Sequence, residues 1–137
     1  MNSAVTQYMQ RLPGQRVNLI GYSGGGAVAV LIAARRTDVT NLRTVAGNLD
    51  HIAVNQLHHV SPMPDSLNPI DVTPKIAAIA QLYISGGDDE VVPTSITRTF
   101  VTAVGKCARL HVVQGMAHEG DWSRWWPSLL SAPLSCS

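Results

Sequence analysis

The chain has 137 residues, with 10 Lys and Arg against 9 Asp and Glu, for a formal net charge of +1. Hydrophobic residues make up 45%, charged ones 14%, and the mean hydropathy is +0.09, so one domain can bury about two-thirds of its unfolded surface. This excludes disorder as the main state, a basic footprint for nucleic acid or an anionic membrane, and a membrane span, since the longest apolar run (Ala27 to Ala34) is too short.

Met1 is followed by Asn-Ser-Ala-Val-Thr-Gln, without the basic and apolar regions of a signal peptide. The chain as written reads as unexported, and a start further upstream that carried a signal would reverse this. Ser3 to Leu12 reads as a modest amphipathic helix stopped by Pro13-Gly14. Arg16 to Ile20 is a strand running into Gly21, and Gly25 to Arg36 a helix apolar nearly all round, as suits one buried against a sheet. Arg35 and Arg36 sit where cations favour the helix C-terminus. Leu42 to Ala46 is a second strand. From about Asn48 to Pro74 periodicity is lost and Pro62, Pro64, Pro69 and Pro74 accumulate, so 48–75 reads as a loop or small cap with one short helix near Ala53 to His58. Gln81 to Ser85 is a third strand, Thr94 to Val104 a helix stopped by Gly105, and Leu110 to Val113 a fourth strand. A final helix begins near Asp121 and carries Trp122, Trp125, Trp126 and Leu129. Strands alternating with helices specify an α/β fold, a parallel sheet of about four strands flanked by helices, with the cap between the second and third strands. Cys107 and Cys136 are too few for a disulfide framework and lack metal-site spacing. Two reduced thiols, or one disulfide tying down the tail, both fit.

The stretch Asn18-Leu19-Ile20-Gly21-Tyr22-Ser23-Gly24-Gly25-Gly26 carries the most chemistry. A strand ends in Gly-x-Ser-x-Gly and a helix begins at once, the context in which a serine hydroxyl is exposed on a sharp turn above the strand ends. Gly21 and Gly25 are expected where strand and helix backbones approach too closely for a side chain. The Gly24 N–H, at the helix N-terminus, points where an oxyanion would develop, and Tyr22 is a second candidate on the oxyanion or substrate-binding side. A phosphate loop is the alternative, but neither Gly-x-Gly-x-x-Gly nor Gly-Lys-Ser/Thr can be laid on these glycines. A serine needs a base and an orienting acid. Asp88-Asp89-Glu90-Val91-Val92-Pro93 follows the third strand and His118 the fourth, giving the chain order Ser, Asp, His. Taken singly, Gly-Gly-Asp-Asp is good turn chemistry and His118 a solvated loop residue; the three together at strand ends argue for nucleophile, acid and base.

Gly-Tyr-Ser-Gly-Gly, Gly-Gly-Asp-Asp-Glu-Val-Val-Pro and Gln-Gly-Met-Ala-His-Glu-Gly resemble the three motif regions of α/β-hydrolase fold enzymes, over about Arg16 to Leu130. In that family the acid commonly stands three residues before a Val-Pro, which implies Asp89 rather than Asp88. The resemblance implies a serine hydrolase acting on a small ester, thioester or amide without a cofactor: Ser23 as nucleophile, His118 as acid and base, Asp89 as orienting acid. The family's sheet has eight strands with the nucleophile after the fifth, so the chain resembles the C-terminal portion, an N-terminally incomplete domain over 1–137. The loop that gives the second oxyanion donor has no counterpart before Ser23. Turnover is therefore expected to fall by about 10²–10³. The strand edge near Val17–Ile20 would be bare, inviting self-association. A non-catalytic hydrolase-like remnant acting as an interaction module is the alternative.

Asp50-His51 and His58-His59 could contribute to a metal site, but match no familiar spacing and are expected to be cap residues with no metal bound. His111 reads as a packed or edge strand residue, the tryptophans as core packing with part of the group beside His118, and Val60 and Met63 as substrate-facing cap residues.

Overall fold

In the computed structural model, residues 1–61, 63 and 65–136 are described; Pro62 and Pro64, two of the prolines expected to mark the cap, lie outside them. The apolar runs form strands β1 (Val17–Tyr22), β2 (Val39–Val45), β3 (Ala80–Gly86) and β4 (Ala108–Val113). They make one parallel sheet in sequence order, with β1 and β4 at its edges. The register sets Tyr22 beside Val45, Val45 beside Ile84, and Gly86 beside Val113, so the C-terminal ends of all four strands stand together. In open α/β sheets that is the rim where sites are built.

Helices α1 (Asn2–Met9), α2 (Gly24–Ala33), α3 (His51–Leu57), α4 (Thr73–Ile76), α5 (Thr94–Val104) and α6 (Trp126–Ser131) connect and cover the strands. Helix α2 buries Gly26, Ala29, Val30, Ile32 and Ala33, as its all-round apolar sequence requires. Helix α5 buries Thr97, Phe100 and Val104, one stripe at helical spacing, and Gly105 ends it at φ 107°, a conformation cheap only for glycine. One sheet face packs Leu42 and Tyr83 with Val30, Ile76 and Phe100. The other packs Val45, Ile84 and Val113 under Trp122 and Leu129. Helix α1 is held by Arg36, whose guanidinium pairs with both oxygens of Asp38 at 2.8 and 2.7 Å and also donates to Asn2 and Thr6. The side-chain hydrogen bonds from Arg36, and then its charge, hold the Asp38 carboxyl below the usual carboxylate range.

The described residues of the segment 48–75 hold more regular structure than its prolines suggest. Asp50 caps α3 by accepting from the Ala53 N–H at 3.2 Å, which starts the helix two residues before the expected Ala53. Asn68 donates to the same carboxylate at 2.9 Å and accepts from the His51 N–H. Pro69 then opens a 3₁₀ turn (Pro69–Val72) leading into α4, a helix the sequence pattern missed. The last helical segment is split into a 3₁₀ turn (Trp122–Arg124) and α6, with Pro127 near the start of the latter.

Cys107 and Cys136 are joined in a disulfide, which resolves the choice left open by the sequence. It ties the tail to the turn before β4 and closes a loop holding β4, His118 and α6. Among the described residues no helix is long and apolar enough to cross a membrane.

Candidate active site

Ser23 follows the last residue of β1 and forms the N-cap of α2, with φ 52° and ψ −120°. Such a conformation costs a non-glycine residue about 1–3 kcal/mol. Three backbone bonds hold it there: the Ser23 N–H donates to the Val45 carbonyl at 2.9 Å, and its own carbonyl accepts from Gly26 and Asn48 at 3.0 and 3.1 Å. The turn also needs missing side chains. A Cβ on Gly21 would collide with the Gly25 carbonyl, whereas one on Gly25 would meet open space. The second constrained position is therefore Gly26, where a Cβ would stand 3.0 Å from Gly47 Cα and 3.2 Å from Thr44 Cβ. This corrects the expectation for Gly25: α2 presses on the end of β2 one residue later than the motif suggests.

Asp89 lies in the turn after β3 and His118 in the loop after β4. These loops interlock, since the Asp88 N–H donates to the Met116 carbonyl at 3.0 Å and a Cβ on Gly86 would overlap that same carbonyl. Ser23 Oγ is 3.0 Å from His118 Nε2, and His118 Nδ1 is 2.8 Å from Asp89 Oδ2. The other Asp89 oxygen accepts from the N–H groups of Val91 and Val92, each at 2.8 Å. The Asp89 side chain is 0% exposed and that of His118 10%. A carboxylate can only accept, so Nδ1 carries the hydrogen and Nε2 turns its lone pair toward the serine hydroxyl. The arrangement can take a proton from Ser23 and keep the resulting imidazolium beside a negative charge. Gly24 opens α2, so its N–H belongs to the leading amides that have no acceptor within the helix.

The remaining candidates sort differently. Tyr22 donates its hydroxyl hydrogen to the His118 backbone carbonyl at 2.7 Å, so the hydroxyl has no second hydrogen for an oxyanion. Its ring lines a cleft of about 410 Å³ with Glu119, Asp121, Trp122 and Trp126. The Trp122 indole N–H donates to the same His118 carbonyl at 2.9 Å. Thus Trp122 does stand beside His118 and Trp126 lines the same cleft as Trp122, while Trp125 is 42% exposed. Val60 and Met63 are exposed and do not line the cleft. His51 is buried and contacts the Ser66 and Leu67 carbonyls, and His58 donates to the Val91 carbonyl at 2.7 Å. With Asp50 engaged as a cap, these residues tie the segment 48–75 together and to the turn of Asp89. Among the described residues no group of three or more His, Cys, Asp or Glu is placed to hold a metal ion. His111 is exposed on the edge strand β4.

No protein-family model and no curated protein matches the sequence. Solved structures do match. A puromycin-hydrolysing peptidase of Mycobacterium tuberculosis superposes with a TM-score of 0.72 at 16% identity, over 86% of this chain and 21% of that one. An alpha-beta serine hydrolase homologue from Coxiella burnetii gives 0.64 at 21% identity, over 93% and 51%. The esterase domain of a Rhodothermus marinus protein gives 0.67 at 16%, over 85% and 57%. This chain therefore spans between 21% and 57% of the length of these three.

Proposed function

We propose that this chain, a partial α/β-hydrolase fold of four parallel strands flanked by helices, hydrolyses a carboxylic ester, thioester or amide through an acyl-enzyme. One observation carries the reading: the unbroken hydrogen-bonded series Ser23, His118, Asp89 at the ends of three strands, with the serine in a strained turn. Residues 1–137 act as one domain, and 48–75 as its cap.

In the proposed reaction Ser23 Oγ attacks the substrate carbonyl carbon while its proton passes to His118 Nε2. The tetrahedral oxyanion is met by the Gly24 N–H. Collapse breaks the bond to the leaving alcohol, thiol or amine, which departs with the proton from His118. Water then attacks the acyl group, giving its proton to His118, and the carboxylic acid leaves as Ser23 regains a hydrogen. Asp89, locked by two backbone amides, keeps Nδ1–H of the imidazole turned to itself and Nε2 turned to Ser23, and lies beside the imidazolium when it forms.

With the Gly24 N–H as the one assigned donor, turnover is expected about 10²–10³ below that of a site with two. The test is hydrolysis of p-nitrophenyl acetate by the purified chain. Slow turnover that disappears in Ser23→Ala supports the proposal. A rate identical in Ser23→Ala contradicts it, and a folded chain with no turnover favours a hydrolase-like interaction module.

A further inference from the structure

We infer that Tyr22 and Trp122 are positioning residues that hold the His118 backbone so that one imidazole reaches Ser23 and Asp89 together. The inference deepens the hydrolase reading and takes from it the role of His118 as base.

His118 stands in a loop, and its ring must satisfy partners on opposite nitrogens at 3.0 and 2.8 Å. Aligned hydrogen bonds tolerate only a few tenths of an ångström before they weaken. A loop backbone free to shift would lose one partner while keeping the other. The His118 carbonyl has two lone pairs, and both are engaged: by the Tyr22 hydroxyl at 2.7 Å and by the Trp122 indole N–H at 2.9 Å. The donors come from different elements. Trp122 lies four residues further along and is 8% exposed, which fixes the loop on the sheet's second core.

Tyr22 reaches across 96 residues of sequence. It is also the immediate neighbour of Ser23, so the strand end that carries the nucleophile grips the loop that carries the base. Displacement of one drags the other. The two rings stand 5.6 Å apart at a 35° tilt, so Tyr22 also backs the imidazole sideways. Burial, and then the charges of Glu119 and Asp89, raise the ionisation of the Tyr22 hydroxyl above the ordinary tyrosine value. It therefore stays a donor across the neutral range.

Tyr22→Phe removes the hydroxyl and leaves the ring in the cleft. In p-nitrophenyl acetate hydrolysis its kcat is expected to fall about five- to tenfold, the size of one lost hydrogen bond, with KM within about twofold. In a His118→Ala background the same change is expected to leave the residual rate within about twofold, because a positioning residue acts only through the base. A Tyr22 that touched the reacting atoms would depress the rate in both backgrounds, and that result overturns the inference. A second readout does not depend on turnover. The proton between His118 Nδ1 and Asp89 gives a far-downfield NMR signal, expected to be sharp in the natural chain and broadened in Tyr22→Phe and Trp122→Phe at unchanged fold. An unchanged signal in both variants refutes the positioning role even if the chain hydrolyses nothing, whereas loss of the signal without hydrolysis refutes only the proposed function.

Discussion

Replacing Asp89 by asparagine exchanges one carboxylate oxygen for an NH₂ group, and the surroundings decide which one. Oδ1 accepts from the Val91 and Val92 amides, and Oδ2 from His118 Nδ1. An NH₂ turned toward the two amides would leave donors facing donors in a site with 0% exposure, at about 1–3 kcal/mol for each unmatched group. An NH₂ turned toward His118 needs only a change of imidazole tautomer. The second arrangement wins, and it puts the hydrogen on Nε2, facing Ser23. The serine then has no base. Loss of the correct tautomer lowers kcat by about 10⁴, or about 5.4 kcal/mol of barrier at 1.36 kcal/mol per decade. The assay is p-nitrophenyl acetate hydrolysis beside a far-UV circular dichroism melt, with Asp88→Asn as the control on the exposed neighbour. A fully folded Asp89→Asn variant within tenfold of the natural rate would refute the two-amide lock.

Other consequences are open to similar measurement. Gly21→Ala should fail to give soluble folded protein because its Cβ meets the Gly25 carbonyl, whereas Gly25→Ala, facing open space, should be tolerated and stabilise α2 by about 0.5–1 kcal/mol in urea unfolding. Cys136→Ser should cost about 3.6 kcal/mol on the chain-entropy account of a loop with sequence separation 29, seen as a lower thermal midpoint that dithiothreitol reproduces in the natural chain. The Asp38 carboxyl ionises more readily when folded beside Arg36, so its contribution is present above the unfolded pKa of about 3.9 and disappears as pH falls through the lower folded value. Arg36→Ala should remove that acid-limb dependence, together with about 1 kcal/mol or less, and loosen α1 in amide hydrogen exchange.

Much of the architecture is legible because its signals are local. Helix α5 occupies the expected Thr94–Val104, since its apolar stripe and terminal Gly105 are both short-range features. The strands are each found where an apolar run meets a turn, with ends shifted by at most three residues, mostly outward as pairing extends them. The elbow is legible for the same reason: Gly21, Ser23 and the start of α2 are contiguous. What escapes the sequence depends on contacts between distant residues. Gly26 matters through Gly47 and Thr44, which reach it only once β2 is placed. The Tyr22 hydrogen bond to His118 leaves no trace in either local sequence. His51 and His58 resemble loose metal ligands in sequence, and only the folded loop shows their partners to be the carbonyls of Ser66, Leu67 and Val91. Trp122 has the spacing of a core residue and is one; its indole N–H, pointed at a loop carbonyl, gives it the further part.

The central claim is that His118 and Asp89 activate Ser23. Labelling with a fluorophosphonate, followed by mass mapping of the modified peptide, tests it without any choice of substrate, because the probe reacts with an activated serine. The account predicts one phosphonylated residue, Ser23, in the folded natural chain, with labelling lost in Ser23→Ala and at least a hundredfold slower in His118→Ala. A folded chain left unlabelled, or one labelled equally fast without His118, would contradict it.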